Sequence, residues 1–265
     1  MVKAVAAGAD RFRPPSMGVC LLIYHRIGAG TSSEVDLPLS LFDEQMALLA
    51  AEHEIVSLPD AVASLAGPPE ELGRRTKVAV TFDDGTEDFV DHALPVLVSY
   101  RIPVCLYAVT HHIDTGERFP WGARPLSWQA LSEACSTGVV EVGSHTHRHL
   151  LLDRLPSAEV TEELDRSTSL LEQHLQRPVR HFAYPKAVAP SAAADATVRA
   201  RFTSAALAGT RINPYGRTDL HRLYRSPIQR GDRMRYFEKK ARGGMALEDE
   251  LRRLANRRRY AGATT

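Results

Sequence analysis

KVAVTFDDG, residues 77–85, decides how the rest of the chain is read. Lys77 opens an apolar run of strand length that ends on two carboxylates, Asp83 and Asp84. Gly85 then lets the backbone turn sharply. Taken alone, Asp-Asp-Gly is a common surface turn. Its meaning depends on whether other strands end in the same region with polar groups of their own.

Outward from this stretch, VCLLIYH (19–25), IPVCLYAV (102–109), VVEVGS (139–144), VRHFAYP (179–185), FTSAAL (202–207) and LYRSPI (223–228) read as further strands. Amphipathic stretches separate them. LSLFDEQMALLAAEH (39–53) has helical spacing, with Ser40 as the expected N-cap. EIVSL follows, then helices near 59–66 and 86–99. SWQALSEACSTG (127–138) predicts a helix capped by Ser127 and closed before Gly138. A long amphipathic helix is expected over 156–175. Strands alternating with helices predict a mainly parallel sheet covered by helices. About seven such units in 265 residues suit an α/β, distorted (β/α)7-type barrel: a single domain with a C-terminal helix. The expected layout is a flexible arm over 1–16, the barrel over 17–243 and a basic helix or tail over 244–265.

Composition excludes several classes. The chain is 44% hydrophobic and 25% charged with formal net charge +1, so no global field points to nucleic acid. Cys20, Cys105 and Cys135 lie far apart in apolar surroundings and are expected to be reduced and buried. No signal peptide is visible, and the run Val19–Tyr24 is far too short to span a bilayer. The expected location is cytoplasmic.

In such folds the C-terminal ends of the strands collect into a site. That rule selects His25, Asp83, Asp84, His145, Tyr184 and Pro185. The stretch SHTHRH (144–149) offers three histidines. On a continuing strand all three would align; on a helical turn His145 and His149 share a face and His147 points away. Gly143-Ser144 breaks the strand, which favours the turn, with His145 and His149 as a chelating pair. Two histidines and a carboxylate, with one position open, are what zinc hydrolases commonly use.

TFDDG (81–85), SHTHRH (144–149) and RHFAYP (180–185), in that order, resemble the first three motifs of the polysaccharide deacetylase family, the NodB-homology domain of carbohydrate esterase family 4. The resemblance covers roughly residues 18–240. It implies a distorted barrel and metal-dependent removal of N-acetyl groups from sugars. It implies Asp84, His145 and His149 as ligands of one divalent ion, usually zinc, with cobalt, nickel or manganese able to serve. It implies Asp83 as the base that activates water. It also implies a backbone N–H donor for the oxyanion at the residue after the third motif's proline, here Lys186, where the family usually carries Tyr-Gly.

Two departures shift other roles. The family's late Leu-x-His is missing, and His221 has the wrong spacing. LLIYHRIG (21–28) resembles a subgroup, including poly-N-acetylglucosamine deacetylases, in which a Tyr-His pair at the first strand end replaces it. His25 is then the expected catalytic acid. The third motif's usual arginine is Ala183 here; LYRSPI resembles a Leu-x-Arg segment common in the FAYP-type subgroup, which implies Arg225 as the partner of Asp83. Tyr184 is expected to line the acetyl pocket. In THHIDTGERFPWGARPLSW, Trp121 and Phe119 are candidates to stack on a sugar ring, Trp121 alternatively to anchor its own loop, and His111 or His112 could reach hydroxyls.

From Arg230 to Arg259 there are eleven Lys or Arg against five Asp or Glu. LEDELRRLANRRRY reads as a helix with acids first and bases last. It is either a solvated helix or a peripheral contact with an anionic membrane or acidic partner. The expected activity is N-deacetylation of an N-acetylated amino sugar: a biosynthetic intermediate, a lipid- or nucleotide-linked sugar, or an oligosaccharide. A non-sugar amide as substrate, or a carbohydrate-binding homologue without catalysis, are the rivals. The particular sugar and the oligomeric state are not legible.

Overall fold

The computed structural model describes residues 2–10, 17–67 and 76–248. Among the described residues the main sheet has nine strands; two are short flanking ones, Glu54–Ile55 and Asn213–Pro214, and seven parallel ones carry the fold: β1 Gly18–Tyr24, β2 Lys77–Asp84, β3 Val104–Ala108, β4 Val140–Ser144, β5 His181–Ala183, β6 Ser204–Ala206 and β7 Arg225–Pro227. β1 to β6 are neighbours in chain order, and β7 pairs in parallel with β1, Leu21 facing Arg225. Backbone bonds from Leu207 to Leu223 (2.8 Å) and from Gly209 to Arg225 (2.8 Å) tie β6 to the approach of β7. The sheet therefore curls round on itself, as the alternating pattern predicts.

Both faces of the strands are covered, which is why they read as continuous apolar runs rather than alternating ones. Alternation persists in where the side chains go. Val19, Leu21, Ala79, Cys105, Tyr107, Ala183 and Ala206 point into the barrel. Cys20, Leu22, Tyr24, Val78, Val80, Phe82, Phe182 and Tyr184 point outward into the helical layer.

Nine α-helices are seen among the described residues: α1 Val2–Ala9, α2 Leu39–Glu52, α3 Leu58–Ala66, α4 Leu94–Ser99, α5 Thr110–Thr115, α6 Trp128–Ser136, α7 Ser157–Leu175, α8 Ala192–Arg199 and α9 Arg233–Ala241. α3 packs Leu58, Ala61, Val62 and Leu65 into the barrel's inner cluster. Side chains of α2, α4, α6, α7, α8 and α9, such as Phe42, Leu97, Leu131, Leu164, Val198 and Phe237, cover the outer one.

Several local expectations change. Helix α2 starts at Leu39 after Pro38, with no side-chain cap, so Ser40 is not the N-cap. The stretch expected as one helix over 86–99 winds as a π turn over Phe89–Ala93 before α4. Ser127 does cap α6, accepting from the Ala130 N–H at 3.1 Å. Residues 2–9, expected as a loose arm, form α1: Ala6 is fully buried and Lys3 bonds Asp232 at 2.7 Å. Met245, assigned to the tail, is also buried, and its N–H bonds the Asp10 carboxylate at 2.9 Å. The LEDELRRLANRRRY helix (247–260) lies almost wholly outside the described residues. Among those described, no helix is long and apolar enough to cross a membrane. The three cysteines are free, Cys20 and Cys105 buried and Cys135 half-buried.

Candidate active site

Two adjacent carboxylates on a strand should face opposite ways, yet both reach one cleft. Asp83 follows the alternation of Ala79 and Thr81 and points into the barrel. Asp84 would point outward, but its φ is 73° and that of Gly85 is 88°. A left-handed, non-glycine residue at a strand end is uncommon and costs conformational energy. Here it swings Asp84 round beside its neighbour. Asp84 Oδ1 lies 3.8 Å from His145 Nε2 and 3.7 Å from His149 Nε2.

The histidines come together by a different route from the expected helical turn. Residues 145–149 are irregular, with Thr146 at φ 68° and His149 at φ 62°. Side chains and strand ends hold the segment instead. The His145 N–H bonds Ala108 O (3.0 Å), the His149 N–H bonds Thr146 Oγ1 (2.9 Å), and buried Glu163 accepts from Arg148 N (2.7 Å) and Nε (2.6 Å). The His145 and His149 rings meet at 4.9 Å. His147 turns away, its Nδ1 on Thr110 Oγ1 (2.9 Å) and its Nε2 accepting from Arg166 Nε (3.1 Å). The two rings anticipated as a pair do come together, by a route the sequence did not show.

The donor set of Asp84, His145 and His149 fits a divalent cation. Their ligand atoms lie within 4.8 Å of one another. His145 Nδ1 donates to Ala183 O at 2.7 Å, which leaves the Nε2 lone pair facing the cleft. Burial pushes both imidazoles down, His149 well below its ordinary value with His145 adding to the effect, so both are neutral, the form that can ligate a cation. Burial, then the charge of Asp83, pushes Asp84 up to about 8. A buried carboxylate in that condition is stabilised by a cation.

Beneath this triad Asp83 meets Arg225. The guanidinium is fully buried and grips both carboxylate oxygens, NH2 to Oδ2 at 2.9 Å. It also bonds Leu207 O and Thr81 Oγ1, each at 3.2 Å, and lies 4.9 Å over the Tyr107 ring. Burial alone would raise the Asp83 pKa; Arg225 and then His145 outweigh it and hold the group at about 2. Gly143 makes room for Tyr107, since a Cβ there would stand 2.5 Å from that ring and 2.8 Å from His181 O.

A cleft of about 670 Å³ opens over these groups. His25, Asp83, Asp84, His145, His149, Lys186 and Trp121 all line it. The His25 Nδ1 is buried without a hydrogen-bond partner among the described residues, and burial lowers its pKa to about 4 against the pull of Asp83. Lys186 and Ala187 sit at the rim, both left-handed (φ 51° and 55°). Trp121 is 45% exposed and stacks on buried Phe119 at 4.8 Å, so Phe119 anchors the loop and leaves the indole on the cleft. Tyr184 does not line the cleft. It shares the outward parity of Phe182, and its hydroxyl reaches Asp195 at 3.4 Å. His111 and His112 turn instead to Glu117. Thr31, Ser32, Ser33, Val35 and Gln229 also line the cleft and were missed. The only sequence signal for them was a hydroxyl-rich loop beginning near Gly28 and Gly30.

A profile described as Polysaccharide deacetylase matches residues 72–205, half of the chain. A poly-beta-1,6-N-acetyl-D-glucosamine N-deacetylase of Staphylococcus aureus is 29% identical over 119 residues, 42% of this chain and 40% of that protein. The matched stretch thus spans well under half of the curated relative. Among solved structures, IcaB from Ammonifex degensii superposes with a TM-score of 0.74 at 25% identity, covering 86% of this chain and 98% of the other. The Streptococcus pyogenes deacetylase PplD, in complex with acetate, gives 0.73 at 20% identity, covering 85% and 99%.

Proposed function

Because the chain belongs to the polysaccharide deacetylase family, we propose that it is a metal-dependent N-deacetylase of N-acetylated amino sugars. The observation that carries this is the adjacency of two arrangements in one cleft. A neutral-histidine and carboxylate triad stands 3.7 Å from a second carboxylate, and an arginine holds that carboxylate ionised. The names of the relatives make β-1,6-linked N-acetylglucosamine the first substrate to try.

Asp84, His145 and His149 would hold the ion, zinc being the first choice for two histidines and one carboxylate, with cobalt, nickel or manganese as substitutes. Once bound, it supplies Lewis acidity toward the acetyl carbonyl and toward water. Asp83 takes the proton from the attacking water, and Arg225 fixes which lone pair it presents. The Lys186 backbone N–H donates to the developing oxyanion. His25 is neutral at rest. Negative charge growing in the cleft favours its protonated form: it takes up the proton that Asp83 removed from water and gives it to the leaving amine, which returns both groups to their resting states. Trp121 offers an aromatic face to a sugar ring.

The test is acetate release from a β-1,6-linked N-acetylglucosamine oligomer, alongside metal content by plasma mass spectrometry. Zinc-loaded wild type should release acetate. His145→Ala should lose both ion and activity; Asp83→Asn should keep the ion and lose activity. Bound ion without acetate from any acetylated sugar would refute the assignment.

A further inference from the structure

Part of the cleft wall comes from segments that carry none of the catalytic groups. Gln229 lines it, just after β7, and so do Thr31, Ser32 and Ser33. The two segments are one unit. Arg230 N–H bonds Glu34 O at 2.7 Å, its guanidinium bonds Thr31 O and Asp36 O, and the Gly231 N–H bonds Glu34 Oε2 at 3.1 Å. Asp36 in turn holds the loop from within, through Ala29 N–H (3.1 Å) and Thr31 N–H (2.6 Å).

A buried charge cluster seats this wall. Asp232, fully buried, accepts from Lys240 Nζ (2.9 Å), from Lys3 Nζ (2.7 Å) and from the Gln229 N–H (2.8 Å). Glu248 completes it, 3.3 Å from Lys240. Two lysines face two carboxylates, so the cluster is internally neutral. Lys3 also reaches the Gln229 side chain, at 3.3 Å. An ammonium only donates, so the atom it meets is the amide oxygen. With the oxygen engaged by Lys3, the NH2 is the end of this cleft-lining side chain left to donate to a ligand.

We propose that Gln229 is a substrate-binding residue whose NH2 donates to a hydroxyl or ring oxygen of an uncharged sugar unit, and that Lys3 of α1 positions it. The wall supports this class of ligand: its charges are matched internally, and the residues it adds to the cleft lining carry an amide and neutral hydroxyl groups. The N-terminal helix thereby acts on specificity although it lies outside the stretch that matches the family.

The proposal rests on the deacetylase assignment, and the experiment separates the two. Binding of a β-1,6-linked N-acetylglucosamine oligomer to zinc-loaded full-length protein is measured by calorimetry, with KM and kcat from acetate release. Gln229→Ala should weaken binding and raise KM about threefold to tenfold, the range for one lost neutral hydrogen bond, with kcat within about twofold. Lys3→Met should do the same more weakly and add nothing in the Gln229→Ala background. Lys3→Gln, which keeps an N–H donor, should restore part of the affinity. Unchanged Kd and KM in Gln229→Ala, or Lys3→Met weakening binding further in that background, overturns the proposal. Wild type that binds the oligomer but releases no acetate sinks the deacetylase assignment alone. Wild type that neither binds nor cleaves it sinks both.

Discussion

Replacing Arg225 by methionine tests the catalytic assignment through stability as well as rate. The residue is fully buried and Asp83 is 3% exposed, so the variant leaves a carboxylate with no guanidinium and little water. Its folded pKa, held at about 2 against an ordinary 3.8, amounts to about 2 kcal/mol of stabilisation at 1.36 kcal/mol per unit. Leu207 O and Thr81 Oγ1 also lose a donor. Breaking a buried pair from one side typically costs about 3–5 kcal/mol, and that is the loss expected at pH 7 by urea unfolding. The sign with pH follows from the depressed pKa: the pair stabilises the protein above 3.8 and this contribution fades as pH falls toward 2. In the variant, burial no longer opposed by Arg225 raises Asp83, so its deficit shrinks as acid protonates the group. The acid limb of kcat/KM should move upward in pH for the same reason. Asp83→Asn added to Arg225→Met should recover part of the stability. A deficit below about 1 kcal/mol at pH 7, together with an acid limb where wild type has it, would refute the reasoning.

Other outcomes follow from the same geometry. Asp84, raised to about 8 without a cation, makes the metal-free protein less stable as pH rises from 3.8 through that value; zinc should release about one proton per ion at pH 7 and progressively fewer above pH 8, read by calorimetry in buffers of different ionisation enthalpy. His147→Ala should keep a full complement of zinc by mass spectrometry while losing about 1 kcal/mol of stability, because Thr110 and Arg166 lose their partner. Gly143→Ala should lower the melting temperature by about 5 °C or more, since the new Cβ collides with the Tyr107 ring and a backbone oxygen. A normal melting curve for that variant would mean the barrel interior relaxes more easily than its packing indicates.

Legible along the chain are the alternation of strands and helices, the parallel curled sheet and the strand ends that carry Asp83, Asp84, His25 and His145. Each of these is a local property: apolar runs of strand length, helical spacing, polar residues at the run's end. The outward direction of Tyr184 is legible in the same way, because it shares a parity with Phe182 and packs in the same outer cluster. What the tertiary structure alone decided is non-local. Asp84 joins the cleft through a left-handed backbone, not through its place in the alternation. His145 and His149 meet because Ala108, Ala183 and Glu163, from three other elements, hold an irregular segment in place. α1 and the residues after α9 read as accessory because short stretches, cut off by charged residues such as Asp10, carry no packing signal of their own. They become part of the molecule only when Lys3, Asp232, Lys240 and Glu248, up to 245 positions apart in the chain, neutralise one another in a buried cluster beside the cleft. A spacing rule sees neighbours along the chain; burial and charge pairing act on neighbours in space.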